Sequence, residues 1–295
     1  MLEKFKIGHD TQTEAGTGVT VILAEEGATA GVSTRGASPS TRETDLLRDG
    51  KRIRRIHAIV LSGGSSFGLE AACGVAQLLH ERSVGHRAGQ SSIVPLVAGA
   101  SLFDLEYRQF AFPDKAAGYR AASAARVNAF DETGSIGAGT GATISKVMGR
   151  EHAVKAGIGI ALYAADGLEI AVIVAVNAVG DIVKNGEIIA GAKHANGEFV
   201  DCRHVFANSP LVLGHENTTI GCVLTNAALS KEECNVLADL AHDGLALAIS
   251  PAHSPYDGDT FFALASGEKD EIGLMPFVGL VAPLTAKAIQ SAVPG

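Results

Sequence analysis

The sequence predicts one α/β domain in which β-sheets are covered on their outer faces by helices. Three observations support this prediction. Six short apolar runs recur along the chain, fewer segments have a helical pattern, and 295 residues without an internal repeat or charged linker suffice for one large core. The chain has 35 Gly residues and only 19% charged residues, which excludes a disordered, coiled-coil or collagen-like protein.

The six apolar runs are predicted to be strands because Val, Ile and Thr are frequent in them and Gly, Asn or Asp bounds them. Several are apolar at nearly every position, which is typical of a strand buried on both faces. In chain order they are Val19–Ala24, Ile56–Leu61, Gly157–Tyr163, Ile170–Val176, Thr219–Leu224 and Thr260–Ala265.

Four segments have the periodicity of helices. The third begins with Ser230 and Glu233, the residue pair of a capping box, and places Leu237, Leu240, Ala241 and Ala248 on one face. The segments run from Ser66 to about Arg82 after a Gly-Gly turn, from Lys115 to about Ala125, from Ser230 to about Ile249, and from about Gly279 to Ser291.

The charge of the chain limits its partners. A formal net charge of -8 and a pI near 5.7 argue against a nucleic-acid or anionic-membrane surface, because such partners need clustered Lys and Arg. A small neutral or cationic substrate is compatible with this charge.

The sequence also predicts a cytoplasmic protein. The N-terminal segment MLEKFKIGHD lacks the apolar core of a signal peptide, and the most apolar stretch, Ile158 to Val183, is interrupted by Asp166, Glu169 and Asp181. The cysteines form neither a C-x-x-C pair nor the dense pattern of a disulfide-stabilised domain, so reduced thiols are expected at Cys73, Cys202, Cys222 and Cys234.

A first possible nucleophile is Ser66. Gly64-Ser65-Ser66-Phe67-Gly68 matches the G-x-S-x-G pattern of a nucleophile elbow and lies between an apolar strand and a helix, as that pattern requires. Against this hypothesis, no separate Gly-rich segment upstream supplies a second oxyanion donor. The alternative is a turn whose glycines serve only the close packing of strand and helix.

The segment Gly137–Thr143 (GAGTGAT) offers backbone N–H groups of the kind that attract phosphate. It fits neither G-x-x-x-x-G-K-[ST] nor G-x-G-x-x-G, so nucleotide binding is a minor alternative. Lys146 follows the segment, and its spacing alone favours a solvated surface charge.

The C-terminal half of the chain contains histidines and acidic residues, which are the residue types that bind metal ions. The histidines lack the paired spacing of metal ligands, so no metal site is predicted at His194, His204, His215, His242 and His253. Asp257-Gly258-Asp259 resembles part of a calcium loop but lacks the other ligands. In an extended chain the two carboxylates point to the same face, so they form either a structural turn or part of a site.

The segment Glu216–Gly221 (ENTTIG) joins a polar stretch to a strand that starts with Thr218 and Thr219. The simple interpretation is a loop followed by a Thr-rich strand. The chemical interpretation is self-cleavage at Asn217-Thr218: the Thr hydroxyl attacks the preceding carbonyl, an ester forms, and water releases an N-terminal Thr. Its α-amino group, with a pKa near ~8, can then accept the hydroxyl proton at neutral pH.

Six ordered segments between about Gly8 and Ala265 identify a family: TEAGTGVTVILAEEGATAGVSTRGASPSTRETDLL, LSGGSSFGLEAACGVAQLL, GAGTGATISK, VAVNAVGD, NTTIGCVLTNA and DGDTFFAL. Together they resemble the L-aminopeptidase/D-esterase (DmpA-type, peptidase family S58) proteins, which include β-aminopeptidases and nylon-oligomer (6-aminohexanoate-oligomer) hydrolases. The resemblance implies a four-layer αββα sandwich of the N-terminal-nucleophile hydrolase type. It also implies a single catalytic domain, residues 1–295, that cuts itself into an α chain, 1–217, and a β chain, 218–295.

The resemblance carries site residues over by position. Thr218 becomes the nucleophile and Asn217-Thr218 the processing bond. Lys146, at the end of GAGTGATISK, and Asn177, in VAVNAVGD, match the lysine and asparagine of the family's active site.

Two further positions refine this assignment. Asp257 and Asp259 match the acidic pair beside the nucleophile in the nylon-oligomer hydrolases, the branch that the Asn-Thr junction also resembles. Several members carry a Tyr directly before an Asp, and this Tyr helps to hold the oxyanion. The present chain has Phe103-Asp104 at that position. Loss of one oxyanion donor costs ~10²-fold or more in rate. Two alternatives follow: Asn177 and a backbone N–H take that role, or the substrate range is narrower than in the Tyr-bearing members.

The expected mechanism is acyl transfer through a Thr218 acyl-enzyme, with the α-amine of Thr218 as base and no metal or organic cofactor. Lys146 is expected to keep that amine neutral, because a nearby like charge lowers the pKa of an amine. Asp257 and Asp259 are expected to orient the Thr amine and hydroxyl. The alternatives are a serine hydrolase that uses Ser66 and a non-catalytic small-molecule or nucleotide-binding protein.

The resemblance implies a small amide or peptide substrate and a homo-oligomer, with a tetramer suggested by the family. An α-peptide, a β-peptide, an amino amide and a nylon-like oligomer all stay open as substrates.

Overall fold

Sixteen strands and six helices run through residues 1–208, 217–270 and 272–293, the part of the chain that this computed structural model describes. His215 and Glu216 lie outside the described residues. The strands are β1 Lys6–Gln12, β2 Thr17–Thr34, β3 Thr41–Arg42, β4 Arg55–Ser62, β5 His86–Ala88, β6 Ser92–Val94, β7 Val97–Ser101, β8 Thr143–Ile144, β9 Val154–Lys155, β10 Ile158–Ala165, β11 Leu168–Asn177, β12 Asp181–Lys184, β13 Glu187–Ala190, β14 Thr218–Ala227, β15 Ile249–Ser250 and β16 Thr260–Lys269. The helices are α1 Ser65–Gly68, α2 Ala71–Glu81, α3 Lys115–Ser123, α4 Cys202–Asn208, α5 Lys231–Ala248 and α6 Met275–Ser291.

Nine of these strands form one mixed sheet, in the order β10-β11-β14-β16-β2-β4-β7-β3, with β1 paired to β2. The pairs β14–β16 and β4–β7 are parallel, and the other neighbours are antiparallel. All six strands that the sequence predicts lie in this sheet. Because β11 and β14 are antiparallel, the end of β11 lies beside the start of β14, and Asn177 is opposite Thr218.

The long strand β2 connects two halves of the sheet. Residues 29–34 pair with β16 and residues 19–23 with β4, and the register on β4 shifts between Leu23 and Ala28, an irregularity of the kind that bends a strand. The two halves face each other across one buried cluster, which includes Ile22, Ile59, Ile173, Cys222 and Phe262. They therefore form two inner layers.

Helices cover the outer face of each half. On one side α5 and α6 pack on β11 and β16 through a cluster that includes Val172, Val174, Leu237, Leu245, Phe261 and Val281. On the other side α2 and α3 pack on β2 and β4 through Val19, Val21, Val60, Val75 and Ala121, among others. Full burial of each such Val, Leu or Phe side chain contributes about 1.5–3 kcal/mol. The layers follow the order helix, sheet, sheet, helix, as the resemblance implies.

Three of the predicted helices keep their type, as α3, α5 and α6, with one corrected boundary. Ser230 caps α5, because its hydroxyl accepts a hydrogen bond from the Glu233 N–H (3.1 Å) while Glu233 accepts one from the Ser230 N–H (2.8 Å). Helix α6 begins at Met275 rather than at Gly279. Pro276 lies in its first turn, where a missing N–H costs no helical hydrogen bond.

The helix predicted from Ser66 to Arg82 is instead two helices, α1 and α2. Between them the N–H groups of Glu70, Ala72 and Cys73 bond to carbonyls three residues earlier, so the chain tightens into a 3₁₀ type of turn. Gly68 lies so close to the Gly63 carbonyl that a Cβ would come within 1.8 Å of its oxygen. In the described part of the chain, no helix is both long and apolar enough to cross a membrane.

Candidate active site

The paired ends of β11 and β14 bring three of the predicted site residues together. Thr218 is the first residue of β14 and lies opposite Asn177, the last residue of β11. The Lys146 Nζ, from the segment after β8, donates hydrogen bonds to the backbone O and the Oδ1 of Asn177, both at 2.9 Å. The interpretation of Lys146 as a solvated surface charge, which rested on its spacing, is therefore wrong. The spacing could not indicate this contact, because Lys146 and Asn177 lie far apart in the sequence.

The Thr218 hydroxyl lies beside the bond that it is predicted to cut. Its Oγ1 donates a hydrogen bond to the carbonyl oxygen of Asn217 and accepts one from the Gly258 N–H at 3.2 Å. Thr218 and Asn217 are each only 4% exposed. The hydroxyl is thus held inside the protein, against the carbonyl of residue 217.

Three residues hold the Asn177 side chain by hydrogen bonds. Its Oδ1 accepts hydrogen bonds from Lys146 and from the Thr143 N–H (3.0 Å), and its Nδ2 donates one to the Phe103 carbonyl (3.0 Å). The backbone of Phe103, and not its ring, therefore positions Asn177. The ring is half-buried, with the Arg150 guanidinium 5.8 Å from its centroid.

The two aspartates of DGD lie on the other side of Thr218. The Asp259 Oδ1 accepts a hydrogen bond from the Thr219 N–H (2.8 Å), and its Oδ2 is 2.9 Å from the His253 Nδ1. The Asp257 Oδ2 accepts hydrogen bonds from the backbone N–H (3.1 Å) and the hydroxyl of Ser254. Both aspartates are 2% exposed.

The surroundings of Asp257 favour the protonated form of its carboxyl. Burial, and next the negative charge of Asp259, raise the pKa of the Asp257 carboxyl above its usual value, against the opposing effects of Ser254 and Lys146. Its Oδ1 is buried and has no hydrogen-bond partner among the described residues. The pair can therefore hold a proton on Asp257 and offers one carboxyl oxygen to a new hydrogen-bond donor.

A cavity of about 210 Å³ adjoins this group of residues. Lys146 and Thr143 contact Asn177 and also line the cavity, so the cavity leads to the site. Its lining residues are Phe103, Asp104, Glu106, Tyr107, Gly141, Thr143, Lys146, Arg150, Ala153 and Lys155.

Sequence reasoning missed two charged groups of the cavity wall. Burial raises the pKa of Asp104 to about 7, and its Oδ1 accepts a hydrogen bond from the Gly64 N–H (2.6 Å). Burial lowers the pKa of Lys155 to about 8, and its Nζ donates to the carbonyls of Gly139 (2.8 Å) and Ala142 (2.9 Å). The only sequence signal for either was the position of Asp104 directly after Phe103.

The other sequence hypotheses are not supported by the geometry. Ser66 is exposed in the short helix α1, and in the described ranges no hydrogen bond joins its hydroxyl to a histidine. The first N–H groups of the Gly137–Thr143 segment are already bonded, since Gly137 donates to the Thr11 hydroxyl (2.9 Å) and Ala138 to the Thr20 hydroxyl (3.1 Å). That segment is a packed 3₁₀ turn against the sheet and not a phosphate loop.

No group of three or more His, Cys, Asp or Glu side chains that could hold a metal ion occurs within the described residues. His253, grouped in the sequence with the unpaired histidines, instead contacts Asp259. This contact had no sequence signal beyond the proximity of the two residues in the chain.

The model of one protein family, described as peptidase family S58, matches residues 3–293. The chain belongs to peptidase family S58. It is 38% identical over 283 residues to an uncharacterised aminopeptidase of Mycobacterium tuberculosis, covering 91% of this chain and 78% of that protein. It is 35% identical over 272 residues to the 6-aminohexanoate-oligomer endohydrolase of Paenarthrobacter ureafaciens, covering 90% of this chain and 73% of that protein.

Solved structures agree on the fold of this S58 member. The L-aminopeptidase D-Ala-esterase/amidase of Ochrobactrum anthropi, described as a variant of the Ntn hydrolase fold, superposes with a TM-score of 0.71 at 16% identity, covering 98% of this chain and 82% of that one. A β-aminopeptidase of Burkholderia sp. superposes with a TM-score of 0.66 at 20% identity, with the same coverage of both chains. The S58 chain is thus an amide-bond hydrolase with the Ntn hydrolase fold. The family and the fold that the sequence segments indicate are confirmed.

Proposed function

We propose that this S58 protein is a self-processing amide hydrolase whose nucleophile is the Thr218 hydroxyl. The observation that carries the proposal is the position of the Thr218 Oγ1, buried against the Asn217 carbonyl and opposite Asn177 in the sheet. Lys146 is connected to this position by its hydrogen bonds to Asn177.

Self-cleavage begins when the Thr218 Oγ bonds to the carbonyl carbon of Asn217. The bond between that carbon and the Thr218 nitrogen then breaks, and the nitrogen takes up the proton that the hydroxyl lost. We assign the relay of this proton to Asp257, because the next residue, Gly258, contacts the Thr218 Oγ1 and because the buried Asp257 Oδ1 has no hydrogen-bond partner among the described residues. Burial raises the pKa of Asp257, which favours a proton on this carboxyl. Water then splits the ester, which leaves a carboxylate on Asn217 and a free α-amine on Thr218.

Hydrolysis of a substrate repeats the same chemistry with the new α-amine as base. The amine takes the hydroxyl proton, Oγ attacks the substrate carbonyl, and the leaving amine departs with a proton, so that an acyl-enzyme forms. Water discharges the acyl group and restores the hydroxyl. Lys146 lowers the pKa of the α-amine by its like charge, which keeps the amine neutral and competent as a base.

We propose that the substrate is a small amide or peptide whose acyl part enters the 210 Å³ cavity. Two relatives are named for substrates of this kind, an aminopeptidase and a 6-aminohexanoate-oligomer endohydrolase. Charged groups of both signs line the cavity, and two of them, Glu106 and Arg150, form an ion pair with each other (2.6 Å). We further propose a cytoplasmic homo-oligomer, a tetramer by analogy with the family.

The test of the proposal is to trap the acyl-enzyme. The purified protein is mixed with L-aminoacyl amides, β-alanyl amides and 6-aminohexanoate oligomers, quenched in acid and analysed by peptide mapping. We expect a substrate-derived acyl group on Thr218, at the N-terminus of the fragment 218–295. An acyl group on Ser66 instead would establish the serine-hydrolase alternative.

Replacing Phe103 with Tyr tests the missing oxyanion donor. The Phe103 side chain lines the cavity, and the change adds only a hydroxyl. If the missing donor limits the chemical step, kcat on slow amide substrates rises by up to ~10²-fold while KM changes little. A flat kcat in a folded Phe103→Tyr protein would show that another donor already fills the oxyanion site.

A further inference from the structure

A histidine lies behind the acidic pair of the proposed active site. His253 is in the segment between β15 and β16, and its Nδ1 is 2.9 Å from the Asp259 Oδ2. The other carboxyl oxygen, Asp259 Oδ1, accepts the Thr219 N–H at 2.8 Å. A continuous set of hydrogen bonds thus runs from an imidazole through a carboxylate to the residue that follows Thr218.

The hydrogen bond determines which nitrogen of His253 carries the proton. A carboxylate only accepts hydrogen bonds, so the proton of a neutral imidazole is on Nδ1. Nε2 is then an acceptor, and it is buried without a hydrogen-bond partner in the ranges that the structure describes. Among the described residues, no hydrogen bond at Nε2 therefore opposes the tautomer in which Nδ1 donates to Asp259.

Two buried rings, those of His242 and Phe261, lie behind His253. The His242 ring packs edge-on against it, with 4.9 Å between centroids, and Phe261 contacts His242 in turn at 5.1 Å. The His242 Nε2 lies 3.0 Å from the Ser33 carbonyl, and burial lowers the pKa of His242 to about 4. The buried His242 ring thus packs against the His253 ring, and its Nε2 is bonded to the Ser33 carbonyl and not to Asp259.

We propose that His253 is a positioning residue that holds Asp259 in the one orientation that fixes Thr219 and, through the backbone, the Thr218 hydroxyl. With both oxygens bonded, the carboxylate cannot rotate without breaking a buried hydrogen bond, which is costly in a site 2% exposed. Without the imidazole, one oxygen loses its partner and the carboxylate is free to turn. The inference rests on the proposed role of Thr218 as nucleophile.

Two variants separate the N–H donor of His253 from its bulk. His253→Phe keeps a ring and loses the donor, and it also places a bulky residue at a positive φ of 52°, a strain that the melting temperature reports. His253→Asn keeps a side-chain N–H at nearly the same distance from the backbone, and Asn also tolerates the positive φ of 52° at this residue. The readouts are the rate of self-cleavage in freshly translated protein, kcat and KM of the processed enzyme, and the melting temperature.

We expect His253→Phe to slow self-cleavage and kcat by up to ~10²-fold, because small displacements of a reacting group have effects of this size, with KM little changed. His253→Asn should restore most of both rates. Equal rates in wild type and His253→Phe would overturn the inference, and so would a His253→Asn protein that folds yet is as slow as His253→Phe.

A second measurement does not depend on any change at His253. In Thr218→Ala protein labelled with ¹⁵N-histidine, two-bond ¹H–¹⁵N correlations should show that the His253 Nδ1 carries a proton. An Nε2-protonated tautomer would overturn the inference. If Thr218→Ala abolishes self-cleavage while His253→Phe does not change it, only this inference fails; if Thr218→Ala still cleaves, the proposed function itself is wrong.

Discussion

Replacing Thr218 with Ala is expected to abolish both self-cleavage and amide hydrolysis. The change removes the only hydroxyl that the structure places against the Asn217 carbonyl within the described residues. Removal of a catalytic nucleophile lowers kcat on the order of 10⁶-fold in a well-studied protease, and a loss of that order is expected here. Denaturing electrophoresis measures the first effect, and release of amine from an amide substrate measures the second.

Two control variants give this result its meaning. Thr218→Ser keeps a hydroxyl and should retain part of both activities. Ser66→Ala removes the competing nucleophile, which is exposed in α1, and should leave both activities unchanged. Full activity in Thr218→Ala combined with loss of activity in Ser66→Ala would replace the proposed mechanism with a serine hydrolase.

Replacing Asn177 with Ala is expected to lower kcat by ~10²–10³-fold, the cost of removing one oxyanion donor. The change also removes the Oδ1 that receives Lys146 and the Thr143 N–H, so self-cleavage should slow as well. Steady-state kinetics on the processed enzyme and a time course of cleavage measure the two effects.

The matched variant Asn177→Asp separates the two roles of the amide. Its carboxylate still accepts hydrogen bonds from Lys146 and Thr143 but donates none. If donation to the oxyanion matters, Asn177→Asp should be as slow as Asn177→Ala. Lys146→Ala should also slow both steps in a folded protein. A normal kcat in Asn177→Ala would contradict an oxyanion role for this residue.

The fold was predictable because its signals are local. Apolar runs such as Ile170–Val176 and the Ser230–Glu233 capping box depend on residues within a few positions of one another, and both are present in the structure. The break between α1 and α2 was not predictable, because it depends on the close approach of Gly68 to the Gly63 carbonyl. The face-to-face packing of the two sheet halves depends on the bend in β2, which the sequence pattern does not reveal.

The site was predictable only in part, because its contacts join distant segments. From its spacing alone, Lys146 was expected to be a surface charge, and only the family resemblance assigned it to the site. Its contact with Asn177 spans two segments of the chain, as does the contact of Asp104 with Gly64. His253 lies near Asp259 in sequence, yet nothing in the residue pattern indicates that the imidazole turns toward that carboxylate.

The intact mass of the purified wild-type protein under denaturing conditions shows whether the chain is cut before Thr218. We expect two fragments that copurify, residues 1–217 and 218–295, with Thr218 as the N-terminal residue of the second. Thr218→Ala, purified in parallel, should give the mass of the full chain. A single full-length mass in fully active wild-type protein would contradict the assignment of Thr218 as a self-released nucleophile.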